Sequence, residues 1–155
     1  TLQRELCDLN TICRAAVEEH RPALTPAVAL KLELDESLPS YNGDPVRLRQ
    51  IVVNLVVNAA KYTSHGEIVV KTARRLDQLL IEVRDTGIGI PPEQQALIFV
   101  PFVQLDSRRI GVGLGLDIAL QLARLHGGTI VVQSLLNQGS TFTVELPLTS
   151  STTTK

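Results

Sequence analysis

The chain has 155 residues, 44% of them hydrophobic and 20% charged, and a formal net charge of -1 at pH 7. That length suits one globular domain around one core, and the charge balance excludes a general electrostatic pull toward nucleic acid or an anionic membrane. No apolar run of eighteen residues is present to cross a bilayer, and the charged opening segment lacks the apolar centre of a signal peptide.

Asp8 can cap a helix in which Leu9, Ile12, Cys13, Ala16 and Val17 recur at helical spacing, ending near Pro22 or Pro26. The two cysteines, Cys7 and Cys13, fit neither a metal pair nor a disulfide framework, so small apolar packing in a reducing compartment is expected of them. Residues 28–35 alternate apolar and polar, the pattern of a half-buried strand. Asn42-Gly43-Asp44-Pro45 is turn chemistry, with Asp44 as cap and Pro45 at the first helical position. The next helix is predicted from Pro45 to Tyr62, with Leu48, Ile51, Val52, Leu55, Val56 and Ala59 as its apolar stripe, and Ser64-His65-Gly66 ends it. Strands over residues 67–72 and 79–83 form a hairpin around Arg75-Leu76-Asp77, and a loop over 84–92 leads into a short helix toward Phe99. Glycines 111–115 open a last helix that reaches His126, Gly127-Gly128 breaks it, and strands over 129–133 and 141–146 close the chain around Asn137-Gln138-Gly139.

The predicted order is helix, strand, helix, strand, strand, helix, strand, strand, which implies an α+β fold. Its form is a two-layer α/β sandwich with helices on one face of a mixed, mostly antiparallel sheet. Residues 1–148 are expected to form one domain and the polar, low-complexity residues 149–155 a flexible tail. The chain lacks an initiating Met and opens in mid-pattern, so it is expected to be a piece of a longer protein.

Four segments carry candidate chemistry. In the first, Asn54, Asn58 and Lys61 stand at i, i+4 and i+7 and share one helix face. Asparagines on a largely apolar helix are costly unless their amides find partners. Either they hydrogen-bond across to another element, or their oxygens serve a hard cation such as Mg²⁺ while Lys61 reaches phosphate. In the second, Asp85-Thr86-Gly87-Ile88-Gly89-Ile90-Pro91-Pro92, the spacing is D-x-G-x-G and not a dinucleotide fingerprint. A carboxylate at a strand end can accept from an exocyclic amine, and glycines let backbone approach a flat ring. A plain tight turn with positive φ at Gly87 and Gly89 would explain the glycines but not the carboxylate. The third segment, Ile98-Phe99-Val100-Pro101-Phe102, either packs a mobile loop against the body or fills core. The fourth, Gly111-Val112-Gly113-Leu114-Gly115-Leu116, precedes a helix whose N-terminal N–H groups and dipole suit a phosphate, with Arg108 and Arg109 just upstream.

In this order the four segments resemble the N, G1, F and G2 boxes of the histidine-kinase catalytic domain. That domain shares a superfamily with DNA gyrase, the heat-shock chaperone ATPase and the mismatch-repair ATPases. The resemblance runs from Leu2 to Leu148 and includes the closing segment Gly139-Ser140-Thr141-Phe142-Thr143-Val144-Glu145-Leu146-Pro147. It implies the Bergerat-type ATP-binding fold, with ATP and Mg²⁺ as cofactors. By resemblance Asn58 is the Mg²⁺ ligand, Asp85 meets adenine N6, Lys61 meets phosphate, Tyr62 lies against the adenine and Thr141 lines the base pocket. Gly87, Gly89, Ile90, Phe99, Arg108 and Arg109 join the nucleotide site. So do Gly111, Gly113, Leu114, Gly115 and Leu116, the glycines hinging a lid over the phosphates.

Hydrolytic members of the superfamily carry glutamate where this chain has Asn54, and an amide cannot take up a proton as a general base. With Asn54 and Lys61 as the catalytic pair, the resemblance implies phosphoryl transfer to a histidine on a helical-hairpin dimerisation domain of the same protein. A response regulator or receiver domain would act downstream, in two-component signalling. No nucleic-acid or membrane contact is expected of this domain, and its expected place is the cytoplasmic side of a membrane-anchored sensor. His20, His65 and His126 sit in helix ends or turns and none carries the acceptor pattern, so surface solvation or helix capping is expected of them. The chain departs from the family at Val100, where an acidic residue is usual, and at Ile110-Gly111-Val112, where Gly-Gly-Thr is usual. The alternative reading is a degenerate domain that binds nucleotide or pairs with other kinases without transferring phosphate.

Overall fold

The structure is a computed structural model that describes residues 1–24, 26–100 and 114–148, without the side chains of Ala23 and Leu114. Three helices, α1 (Leu9–His20), α2 (Pro45–Tyr62) and α3 (Leu114–Leu125), cover one face of a five-stranded sheet. The sheet strands are β2 (Val28–Glu33), β4 (Gly66–Arg75), β5 (Gln78–Asp85), β6 (Thr129–Leu135) and β7 (Gly139–Pro147), in the order β2-β4-β5-β7-β6. All neighbours are antiparallel except β2 and β4, which run parallel because the connection between them carries α2 across the sheet. The α+β sandwich expected from the element order is the observed fold.

The helices form where their apolar spacing demands burial. Asp8 caps α1 by accepting the N–H of Asn10, and Asp44 caps α2 by accepting those of Val46 and Arg47. The predicted stripe of α2 is its buried set, residue for residue: Leu48, Ile51, Val52, Leu55, Val56 and Ala59. These side chains meet Ile68, Val70, Ile81 and Val83 of the sheet and Phe142 and Val144 of β7 in one continuous core. α1 is tied to β4 by a buried polar triad, in which Thr72 Oγ1 donates to Asn10 Oδ1 at 2.7 Å and Asn10 donates to the Asp35 carbonyl at 2.8 Å.

The structure corrects several boundaries. β4 and β5 extend to Arg75 and Gln78 on either side of a two-residue turn, and β5 runs through Arg84 and Asp85, which were expected in a loop. A small antiparallel pair, β1 (Glu5–Cys7) with β3 (Tyr41–Gly43), was not expected; three-residue strands give too little alternation to read. The expected helix before Phe99 is a single 3₁₀ turn, Pro92–Gln94, followed by further turns. Cys13 is fully buried, as its packing role requires, and burial pushes its thiol up to about 12. Residues 149–155, read as a flexible tail, lie outside the described residues.

Candidate functional site

α2 presents Asn54, Asn58 and Lys61 at half-buried positions beside its apolar stripe. The Asn54 amide donates to the Gly115 carbonyl at 2.9 Å, so it spans from α2 to the first turn of α3. The Asn54 amide is thus bonded across to another element. The Lys61 ammonium lies 5.8 Å from the Tyr62 ring centroid, within cation–π range.

Asp85 ends β5 and is 5% exposed. Its Oδ1 accepts the N–H of Gly87 at 2.9 Å and of Ser140 at 3.3 Å. Burial pushes its carboxyl pKa up, partly offset by those two bonds. Among the described residues both side-chain bonds fall on Oδ1, and Oδ2 takes no part in them. The loop after Asp85 docks on the C-terminal end of α2, where the Ile88 N–H donates to the Tyr62 carbonyl at 3.2 Å. This brings the carboxylate loop within one helical turn of Asn58. The two glycines serve different ends. A Cβ on Gly87 would stand 2.2 Å from the Tyr62 carbonyl oxygen, so close approach to α2 demands glycine there. Gly89 has φ +74° and approaches Leu135. Of the positive φ that a plain tight turn would place at both, Gly89 alone has it.

Thr141 does not stand beside Asp85. The β5–β7 register pairs it with Arg84, and strand alternation puts both on the face of the sheet away from the helices. Ser140 is the residue opposite Asp85, buried on the helix face. The expectation was one residue out of register, and a one-residue slip exchanges the two faces of a strand. Reading the alternation of Phe142, Val144 and Leu146 back toward Gly139 would have assigned Ser140 to the inner face. Ser134 and Gln95 were also missed. Ser134 Oγ accepts from the Ile90 N–H at 2.7 Å, and Gln95 Nε2 donates to the Ile90 and Ser134 carbonyls at 3.0 and 3.3 Å.

Ile90 itself is buried, with both backbone polar groups engaged in those bonds. Phe99 is half-buried and packs edge-on against Phe142 with centroids 6.3 Å apart, while Pro101 and Phe102 lie outside the described residues. Leu116 is a core residue. Arg108, Arg109, Gly111 and Gly113 lie outside the described residues, as does the side chain of Leu114.

His126 takes the helix-end role that was one of the two expected of it, but in a buried setting. It is 3% exposed; Nδ1 donates to the Leu122 carbonyl at 2.8 Å, and Nε2 accepts the Asp44 N–H at 3.1 Å. That pairing needs the neutral ring, and burial lowers its pKa accordingly. His20 bonds back to the Ala16 carbonyl, the expected helix-end role, and His65 is exposed. No cluster of three or more His, Cys, Asp or Glu side chains occurs among the described residues. No described helix is long and apolar enough to cross a membrane.

Residues 43–150 match the family model for histidine kinase-, DNA gyrase B- and HSP90-like ATPases. The chain is 46% identical over 123 residues to the circadian input-output histidine kinase CikA of Synechococcus elongatus, covering 76% of this chain and 16% of that protein. It is 38% identical over 149 residues to the alginate biosynthesis sensor protein KinB of Pseudomonas aeruginosa, covering 95% of this chain and 25% of that one. The chain thus spans a quarter or less of the length of these two relatives. Among solved structures, full-length ShkA in complex with AMPPNP superposes with a TM-score of 0.88 at 31% identity, covering 97% of this chain and 32% of that one.

Proposed function

The chain belongs to the histidine kinase-, DNA gyrase B- and HSP90-like ATPase family, and we propose that it binds Mg-ATP and donates the γ-phosphate to a histidine on a separate helical-hairpin domain. Its histidine-kinase relatives and the AMPPNP complex of ShkA support a nucleotide site of this kind. One observation carries the assignment of that site to adenine. Asp85 is buried and bonded on Oδ1 by two backbone N–H groups, with Oδ2 left to accept from a base amino group.

The remaining roles follow from chemistry. Asn58 sits one turn before Tyr62, whose carbonyl anchors the Asp85 loop, so a nucleotide held at Asp85 has its phosphates within reach of that helix face. The cation donor on that face is a neutral amide oxygen, since the Lys61 ammonium has no lone pair and would meet phosphate instead. That fits Mg²⁺, which keeps waters and phosphate oxygens as most of its ligands; Asn58 Oδ1 would hold it, and the ion would offset phosphate charge. Asn54 fixes the first turn of α3 against α2 and leaves no group able to activate water at that position. Transfer therefore breaks the γ-phosphorus bond to the bridging oxygen, forms a phosphorus–nitrogen bond on the partner histidine and releases ADP. A receiver domain would take the phosphoryl group next.

A second reading is a nucleotide-binding regulatory module without transfer, favoured by Val100, which is 42% exposed where the family has an acidic residue. Calorimetric titration of the chain with a non-hydrolysable ATP analogue, with and without Mg²⁺, tests the common part of both readings. Saturable binding strengthened by Mg²⁺ is the expected result, and absence of binding at millimolar analogue contradicts it.

A further inference from the structure

Ser134 stands on β6, at the end of a row that crosses four strands on the helix face: Ile68, Asp85, Ser140, Ser134. Three polar groups surround its hydroxyl. The Ile90 N–H lies at 2.7 Å, the Gly139 carbonyl at 2.9 Å and the Ser140 hydroxyl at 2.8 Å. The N–H can only donate and the carbonyl can only accept, whereas each hydroxyl carries one proton and two lone pairs. If the Ser134 proton goes to Gly139, the Ser140 proton goes to Ser134, and all three contacts are hydrogen bonds. If the Ser134 proton goes to Ser140 instead, Ser134 and the Gly139 carbonyl face each other lone pair to lone pair, and one bond is lost. The first arrangement wins by that bond. It spends the Ser140 proton on Ser134, so Ser140 Oγ offers a ligand lone pairs alone. The backbone around this pair is held by Gln95, which clips the Ile90 and Ser134 carbonyls together.

Ser140 adjoins Asp85, whose Oδ2 is also an acceptor. Two acceptors side by side match an amino group, which has two N–H donors, and oppose a carbonyl oxygen. We infer that Ser134 is a positioning residue that fixes the Ser140 hydroxyl as an acceptor and thereby makes the site select a 6-aminopurine over a 6-oxopurine nucleotide. This rests on the adenine assignment of Asp85 given above and adds to it a control of base selectivity from the edge strand. Without the Ser134 hydroxyl, Ser140 can turn its proton outward and donate to a 6-oxo group.

The test is calorimetric titration of the chain with ATP and with inosine triphosphate, which has an oxo group in place of the 6-amino group. The parent binds ATP the more tightly. Ser134→Ala lowers the ratio of the two affinities by about fivefold or more, the worth of one redirected hydrogen bond. Ser134→Thr, which keeps the hydroxyl, holds the parent ratio. In a Ser140→Ala background, Ser134→Ala shifts the ratio by less than about twofold, because the effect passes through Ser140. If Ser134→Ala weakens both nucleotides alike and leaves the ratio unchanged, Ser134 is structural and the inference is overturned. The same holds if the effect persists undiminished without the Ser140 hydroxyl. A parent that does not distinguish the two nucleotides, or an Asp85→Asn variant with the parent ratio, overturns the adenine assignment itself and the inference with it.

Discussion

Asp85 is held in a buried setting that favours its neutral form, yet its proposed task needs the charged one. A carboxyl whose pKa is raised on folding binds protons more readily in the folded chain. Its contribution to stability is therefore present at low pH and lost as pH rises through the raised pKa. At neutral pH the ionised group is a burden on the fold. Asp85→Asn keeps an oxygen for the Gly87 and Ser140 N–H groups and removes the charge. The variant is expected to melt higher, by about 2–4 °C for each kcal/mol recovered. It should also lose at least about tenfold in ATP affinity, since a charge-assisted bond is worth roughly 1.5–3 kcal/mol. A thermal melt and a titration on the same sample check both signs, and lower stability with unchanged affinity would contradict the assignment. For the parent, ATP affinity should fall as pH is lowered through that raised pKa, at a higher pH than an ordinary aspartate would produce. Asn58 calls for a different comparison. If its amide oxygen holds Mg²⁺, Asn58→Ala weakens Mg-ATP much more than ATP in excess chelator. Equal loss in both conditions would make Asn58 a structural amide.

α2 and α3 pack together and are joined at both ends of α3. Asn54 bonds Gly115 at one end, and His126 accepts the Asp44 N–H at the other. The second joint depends on pH. Burial, and to a smaller degree the Arg4 charge, lower the His126 pKa, while the Leu122 carbonyl and Asp44 act against them. Protonation is then easier in the unfolded chain, so the histidine's contribution is present above its ordinary pKa of about 6.5 and is lost as pH falls toward the depressed value. The parent should lose stability across that window, and His126→Gln should show a flatter acid limb in denaturant titrations. Its stability at pH 7.5 should be lower by about 1–3 kcal/mol if the Asp44 N–H loses its partner. An unchanged acid limb would exclude His126 as its source. These elements also mark where the sequence was legible. The boundaries of α2 were read correctly because six apolar residues at helical spacing, a capping Asp44 and Pro45 agree with one another. The glycines after Asp85 were legible as a turn from their local chemistry, although Asp85 itself belongs to β5. Ser140, Ser134 and Gln95 were not, because their roles arise from strand register and from contacts between segments distant in the chain. His126 was hidden for the same reason: nothing near it in sequence announces that Asp44 supplies its partner.

At the scale of the molecule, one α/β layer pair holds a carboxylate, an amide face and the start of α3 along the C-terminal half of α2. None of the three histidines is offered as a phosphoacceptor: His126 is buried with both ring nitrogens engaged, His20 is bonded to its own helix, and His65 follows α2 in a bend. The chain alone is therefore expected neither to turn over ATP appreciably nor to label itself from γ-labelled ATP. Steady hydrolysis abolished by Asn54→Ala would favour an ATPase. The most direct test adds the proposed phosphoacceptor, a helical-hairpin domain supplied separately, incubated with this chain, Mg²⁺ and γ-labelled ATP. The account predicts acid-labile label on the hairpin histidine that disappears with Asp85→Asn and with Asn58→Ala. No label at nucleotide concentrations that saturate binding, or label indifferent to both substitutions, would contradict it.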